Sequence, residues 1–220
     1  MKELTLFRGF PVSSNYVWSP FVIKLEARLR TSNVGYKLAV GSPKSAPKGK
    51  IPYITFESSS GTQTIGDSGL IGRALSNDGL LGDLNSKLTP AQRAQDLAIR
   101  AMMEDRLCFY NGRERWVDNY DTMRRGVLAT VPWLLQPIIA WFAHSGMVRT
   151  LYGQGTGRLT DEEVTSFRQE VWEGADALLK EAKLASRGRE GPFWVLGGTE
   201  PTEADMTLFG FVVSALVCDA

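Results

Sequence analysis

The first third of the chain sets short apolar runs between clusters of turn residues. Leu4-Thr5-Leu6-Phe7, Tyr36 to Val40 and Ile51-Pro52-Tyr53-Ile54-Thr55-Phe56 are rich in β-branched and aromatic residues and read as strands. Gln63-Thr64-Ile65 reads as a shorter fourth strand, reached through a turn at Ser58 to Thr62. Phe21 to Arg30 carries apolar residues at helical spacing, with Ser19 as N-cap and Pro20 at the first helical position, where a missing N–H costs nothing. Asp67-Ser68 starts a second helix reaching about Leu75. Gly41 to Lys50 is a Pro/Lys/Ser/Gly loop. A helix crossing between the first two strands predicts that they lie parallel.

This β-α-β-loop-β-β-α order matches a small thioredoxin-type sheet. Asn77 to Lys87, rich in Gly, Asn and Asp and without apolar periodicity, reads as a linker. Beyond it the pattern is helical. Thr89-Pro90 opens a long helix to about Val117, and Met123 to about Leu151 forms a second helical region broken by Pro132 and Pro137. Thr160-Asp161-Glu162-Glu163 is a capping-box start for a third helix, to about Ala185. Thr202-Glu203-Ala204-Asp205 opens the last, to about Val217, and Thr202 and Asp205 read as residues that hold the fold. The expected organisation is an α/β domain over residues 1–78 and an all-α domain over residues 88–220.

Composition narrows the function classes. The 220 residues are 43% hydrophobic and 22% charged, with a net charge of +1, which gives no electrostatic case for nucleic-acid binding. Met1-Lys2-Glu3-Leu4 lacks the apolar core of a signal peptide, and Cys108 and Cys218 have no metal or redox spacing, so a reducing, cytoplasmic setting is the default. His144 is the only histidine, which argues against a His-ligated metal and against a Ser-His-Asp triad. No metal is expected. Gly126 to Val148 has no charged side chain and the length to reach across a bilayer. Its prolines and the His144-Ser145-Gly146 break favour a buried, bent core helix that also lines a pocket, with peripheral membrane contact as the lesser alternative.

Three separated pieces carry candidate chemistry. Ser19 lies at a helix start, where free N–H groups and the dipole favour a neighbouring anion such as a thiolate; its bland reading is a simple N-cap. Lys50-Ile51-Pro52 opens a strand, and a cis bond at Pro52 would present the Ile51 backbone to an extended peptide. Gly66-Asp67-Ser68 brings a carboxylate, a hydroxyl and helix N–H groups together, fit for the carboxylate and ammonium of an amino acid, though also an ordinary cap.

In this order and spacing the pieces resemble the glutathione transferase superfamily, in its serine-type classes. Ser19-Pro20-Phe21-Val22-Ile23-Lys24-Leu25-Glu26, Pro47-Lys48-Gly49-Lys50-Ile51-Pro52, Gly66-Asp67-Ser68, Gln154-Gly155-Thr156-Gly157-Arg158 and Glu203-Ala204-Asp205 are most similar to its failed-axon-connections and metaxin-like branch. The resemblance implies a thioredoxin-like N-terminal domain followed by an all-helical C-terminal domain. It also implies glutathione as co-substrate, a small apolar electrophile in the cleft between domains, and a homodimer. By the resemblance Ser19 matches the residue that hydrogen-bonds the glutathione sulfur, and Ile51 the residue pairing with the cysteinyl backbone. Asp67 and Ser68 match the pair at the γ-glutamyl group, and Lys50 a basic position near the glycyl carboxylate. The long segment from Gly9 to Val17 offers rival hydroxyls on Ser13, Ser14 and above all Tyr16. Candidate walls for the electrophile are Tyr16, Trp18, Phe109, Tyr110, Trp116, Trp133 and Trp141, each of which also reads as core.

The chemistry needs no histidine. A free thiol with a pKa of about 8.5 is mostly protonated at neutral pH, and lowering it by about two units takes about 2.7 kcal/mol. One hydroxyl donor and a helix N-terminus can supply that. The expected reaction is thiolate addition to, or displacement at, an apolar electrophile. A glutathione-assisted lyase or isomerase is the alternative within enzymes. A non-catalytic adaptor and a peripheral membrane component are the alternatives outside them.

Overall fold

β1 (Leu4–Phe7), β2 (Lys37–Ala39), β3 (Tyr53–Ser58) and β4 (Gly61–Gly66) form one sheet in the order β2-β1-β3-β4. β1 and β2 are parallel, as the intervening helix α1 (Pro20–Thr31) requires; β3 runs antiparallel to β1 and to β4. The computed structural model describes residues 3–13, 15–58, 61–129 and 131–220. Ser14, and Ser59 and Ser60 of the expected turn, lie outside them. The chain divides into two units, Met1–Ser86 with Met206–Cys218, and Lys87–Asp205 with Asp219–Ala220.

The alternation in β1 decides the core of the first unit. Leu4 and Leu6 point to one face and are buried with Leu25 and Leu29 of α1, Ile54 and Phe56 of β3, and Ile71 and Leu75 of α2 (Ser68–Asn77). Pro20 occupies the N-terminal turn of α1 as expected. No helix links β2 to β3; the Gly41–Lys50 loop holds only a 3-10 turn at Pro43–Ser45. The C-terminal part of α8 (Glu203–Val217) joins this unit. Gly210 lies so close to the start of α1 that a Cβ there would stand 2.5 Å from the Pro20 carbonyl oxygen and 3.0 Å from Lys24 Cβ. Phe211 meets Phe21 edge to face at 5.8 Å, and the Ser214 hydroxyl donates to the Trp18 carbonyl at 2.5 Å.

In the second unit Thr89 and Gln92 form a capping box on α3 (Pro90–Ala101). The chain continues through a π-helical stretch (Met102–Leu107), α4 (Cys108–Arg113) and a second π-helical stretch (Glu114–Asp118). Then come α5 (Tyr120–Val127), α6 (Gln136–Gln154) and α7 (Asp161–Ala185), the last with the predicted Thr160–Glu163 box. Asp205 accepts from the backbone N–H of Val195 at 2.7 Å and from both the N–H and hydroxyl of Thr202 at 2.8 Å. This ties the apolar Phe193–Leu196 loop to the start of α8, the structural part foreseen for Thr202 and Asp205.

The expectation of a buried core helix over residues 126–148 is corrected. The region splits into α5 and α6 around Pro132, and Ala140 and Leu151 are the buried residues of α6. Trp133, Ile138, Trp141 and Phe142 are exposed at 75%, 58%, 60% and 65%. Apolar composition alone does not bury a helix; a covering surface must exist, and here one face has none within its unit. Among the described residues no helix is long and apolar enough to cross a membrane.

Candidate functional site

Ser19 has extended backbone (φ −84°, ψ 115°) and its carbonyl accepts the Ile23 N–H at 3.2 Å, the first bond of α1. Its side chain makes no capping hydrogen bond. The bland reading, that this serine exists to cap its helix, is therefore not realised. The hydroxyl of this half-buried residue stands at a helix start whose first residue, Pro20, has no N–H and whose positive dipole end faces it.

Ile51 packs beside this helix start. Its side chain joins the buried cluster of Val17, Val22 and Ile23, which brackets Ser19 on both sides in sequence. It also lies directly under Gly9, where a Cβ would come within 3.0 Å of Ile51 Cγ1. Gly9 has φ +74°, so the chain leaving β1 turns there in a conformation that favours glycine. The Ile51–Pro52 bond is cis, as expected. Among the described residues neither backbone group of Ile51 bonds to other backbone.

Pairing of β3 with β4 brings the third piece in. Tyr53 opposes Gly66, and one step further the Asp67 N–H donates to the Pro52 carbonyl at 3.3 Å. Asp67 takes φ +80°, ψ 122°, a costly backbone for a residue with a Cβ. Its Oδ1 accepts from Gly69 N–H at 3.0 Å and Leu70 N–H at 3.1 Å, which fixes an exposed carboxylate over the start of α2. Ser68 is buried beside it. Lys50 is exposed on the loop whose Pro47 and Lys48 pack against Gly66. One apolar cluster thus joins Ile51 to the residues that flank Ser19, and the Asp67–Pro52 bond joins Pro52 to the start of α2. The start of α2 carries a strained backbone and a carboxylate that caps its own helix, and the start of α1 a hydroxyl unused as a cap.

Tyr16 is not brought to this place. Its ring meets Phe209 edge to face at 6.0 Å and lies 5.8 Å from the guanidinium carbon of Arg30, in the last turn of α1. Trp18 is half-buried beside Ser19. The remaining wall candidates belong to the second unit. Tyr110 is a core residue stacked on Phe167, Phe109 and Trp116 are half-buried, and Trp133 stands out in solvent rather than in the core. Among the described residues no group of three or more metal-ligating side chains occurs.

Sequence reasoning missed Arg8. It follows β1 and is almost wholly buried. Its two terminal nitrogens donate to the carbonyls of Ser13 at 2.7 Å and Asn15 at 2.6 Å, and so tether the segment that leads to Ser19. Its Nε lies 3.1 Å from a Glu26 carboxylate oxygen, and Arg30 reaches the other oxygen at 3.3 Å. Burial pushes the Glu26 carboxyl up, against the pull of both arginines. The only local signal was a charged residue closing an apolar run.

Comparison with known proteins bears on the fold. A family model described as the glutathione S-transferase N-terminal domain matches residues 20–123. A glutathione S-transferase from Rhodospirillum rubrum is 14% identical, with a TM-score of 0.51 over 98% of this chain and 78% of that one. One from Pseudomonas fluorescens is 15% identical, with a TM-score of 0.51 over 96% and 84%. A maleylacetoacetate isomerase from Anaeromyxobacter dehalogenans, solved with bound dicarboxyethyl glutathione, is 15% identical, with a TM-score of 0.50 over 99% and 79%. At such identities the likeness concerns the fold: a thioredoxin-like N-terminal sheet and helices with a mainly helical C-terminal region, as in glutathione transferases.

Proposed function

We propose that this protein is a glutathione-dependent transferase of the serine type, with Ser19 as the residue that steadies the thiolate. The observation that carries the reading is Ser19, a half-buried residue at the start of α1 whose hydroxyl is unused as a cap. Glutathione would bring the sulfur nucleophile and a γ-glutamyl end bearing both charges. The residues present fit such a group. Ser19 would donate to the sulfur, whose charge the dipole of α1 also favours. The N–H and C=O of Ile51 would pair with the cysteinyl backbone as an added strand. Asp67, whose Oδ1 caps Gly69 and Leu70, would meet the ammonium with its outer oxygen, and Ser68 the carboxylate. Lys50 would lie near the glycyl end. The partner in the reaction would be a small apolar electrophile.

A glutathione-assisted isomerase is the second reading, favoured by the likeness to the maleylacetoacetate isomerase. Both share the Ser19 step and separate by product. The deciding experiment is a thermal melt with glutathione at millimolar concentration. Binding raises the midpoint with the logarithm of ligand excess, and Asp67→Ala abolishes the rise. An unmoved midpoint in the wild type overturns both readings and leaves the adaptor.

A further inference from the structure

The first turns of α6 and the chain just before them show a patch that the proposed glutathione site does not use. Trp133, Leu134, Leu135, Ile138, Trp141 and Phe142 are all at least half exposed, from 50% to 75%. Ile138, Trp141 and Phe142 share one face of α6, and Trp133, Leu134 and Leu135 lie in the turn that leads into it. Helical spacing puts Ile138, Trp141, Phe142, Ser145 and Arg149 on the face opposite the buried Ala140 and Leu151. We propose that this face docks on the surface of a lipid bilayer carrying anionic headgroups.

Charge selects this occupant. Between Asp121 and Asp161 the chain holds Arg124, Arg125, Arg149 and Arg158 and no acidic residue, and Arg124 pairs with Asp121 at 3.5 Å. Arg125 and Arg149 are exposed, and Arg158 stands over the Tyr152 ring at 4.6 Å. Beside the apolar patch, Trp141, His144, Ser145, Val148, Arg149 and Tyr152 line an open groove of about 550 Å³. Aromatic rings with a polar edge, Arg149 on the same groove and Arg158 over the Tyr152 ring match the boundary between acyl chains and phosphates. A second copy of this chain fits less well. Twofold docking sets a patch against its copy, and this stretch offers that copy no carboxylate to pair with Arg125 or Arg149.

The test is flotation of the full chain with vesicles of phosphatidylcholine alone, or with about a third phosphatidylserine. Binding is expected on the anionic vesicles, with a blue shift of tryptophan fluorescence, and at least about tenfold weaker on the neutral ones. Trp133→Ser with Phe142→Ser removes binding to both. Arg125→Ala with Arg149→Ala removes the preference for phosphatidylserine. Thermal melts show which variants are folded, and the single changes replace a double one that is not. Wild-type protein that stays with the soluble fraction overturns the proposal. So does binding that salt removes while the apolar variants leave it unchanged. A dimer seen by light scattering, lost in Phe142→Ser and without vesicle binding, assigns the face to a second copy instead. Glutathione binding is read independently and decides nothing here.

Discussion

Arg8 Nε lies 3.1 Å from Glu26 Oε1, both side chains shut away from water. The pair is held by charge more than by an aligned hydrogen bond, since neither atom completes one. The rest of the Arg8 fork grips the carbonyls of Ser13 and Asn15. A buried ion pair joining β1 to α1 therefore fixes the course of the chain that delivers Ser19. Arg8→Ala leaves the Glu26 charge with less compensation and two carbonyls without their donors. A loss of about 3–5 kcal/mol is expected in urea unfolding. Arg8→Lys keeps the charge but cannot span both carbonyls, so it recovers only part of that stability.

The same pair sets a pH dependence. The folded protein raises the Glu26 carboxyl above its ordinary value of 4.5, chiefly by burial. The native state then holds this proton more tightly than the unfolded chain. The contribution is complete below pH 4.5 and is lost as pH rises through the raised value. Urea midpoints measured across that window should fall less steeply in Glu26→Gln than in the wild type. Equal slopes would remove Glu26 as the source.

Ser19→Ala should lower turnover of an apolar electrophile with glutathione by about 10²-fold, the usual effect of losing one donor to a developing or resident anion. The bound thiol, followed by its ultraviolet absorbance, should titrate at higher pH in the variant. Tyr16→Phe, whose ring lies by Arg30 and Phe209, should change turnover far less. The reverse order would transfer the role to Tyr16.

Gly210 is a packing requirement at the start of α1. A methyl there collides with the Pro20 carbonyl, which cannot move without shifting the Ser19 turn. Gly210→Ala should cost about 1–3 kcal/mol in thermal or urea unfolding and lower glutathione affinity as well. A loss of stability with unchanged affinity would show that the turn survives the shift.

Asp205 satisfies three donors from two separate segments. Asp205→Ala strands them in a buried place and should cost about 3 kcal/mol or more by chemical denaturation. Asp205→Asn keeps part of the network and should fall between.

The order of strands and helices, the parallel first pair, and the capped starts of α3 and α7 were legible in the residues alone. The elements and caps rest on interactions reaching at most one helical turn, or on the two-residue period of a strand, and the parallel pair follows from the crossover helix between its strands. The pieces around Ser19, Ile51 and Asp67 were also visible, as separate hints. Only the folded chain decided that the Val17, Val22 and Ile23 cluster and the bond from Asp67 to Pro52 join them. Folding likewise sent Tyr16 toward Arg30 and placed Arg8 against Glu26, through partners far apart in the chain. The apolar run before and within α6 shows the same division most clearly. Its composition states that water is a poor neighbour, but whether protein covers a face depends on what the other helices bring to it, which no local pattern contains.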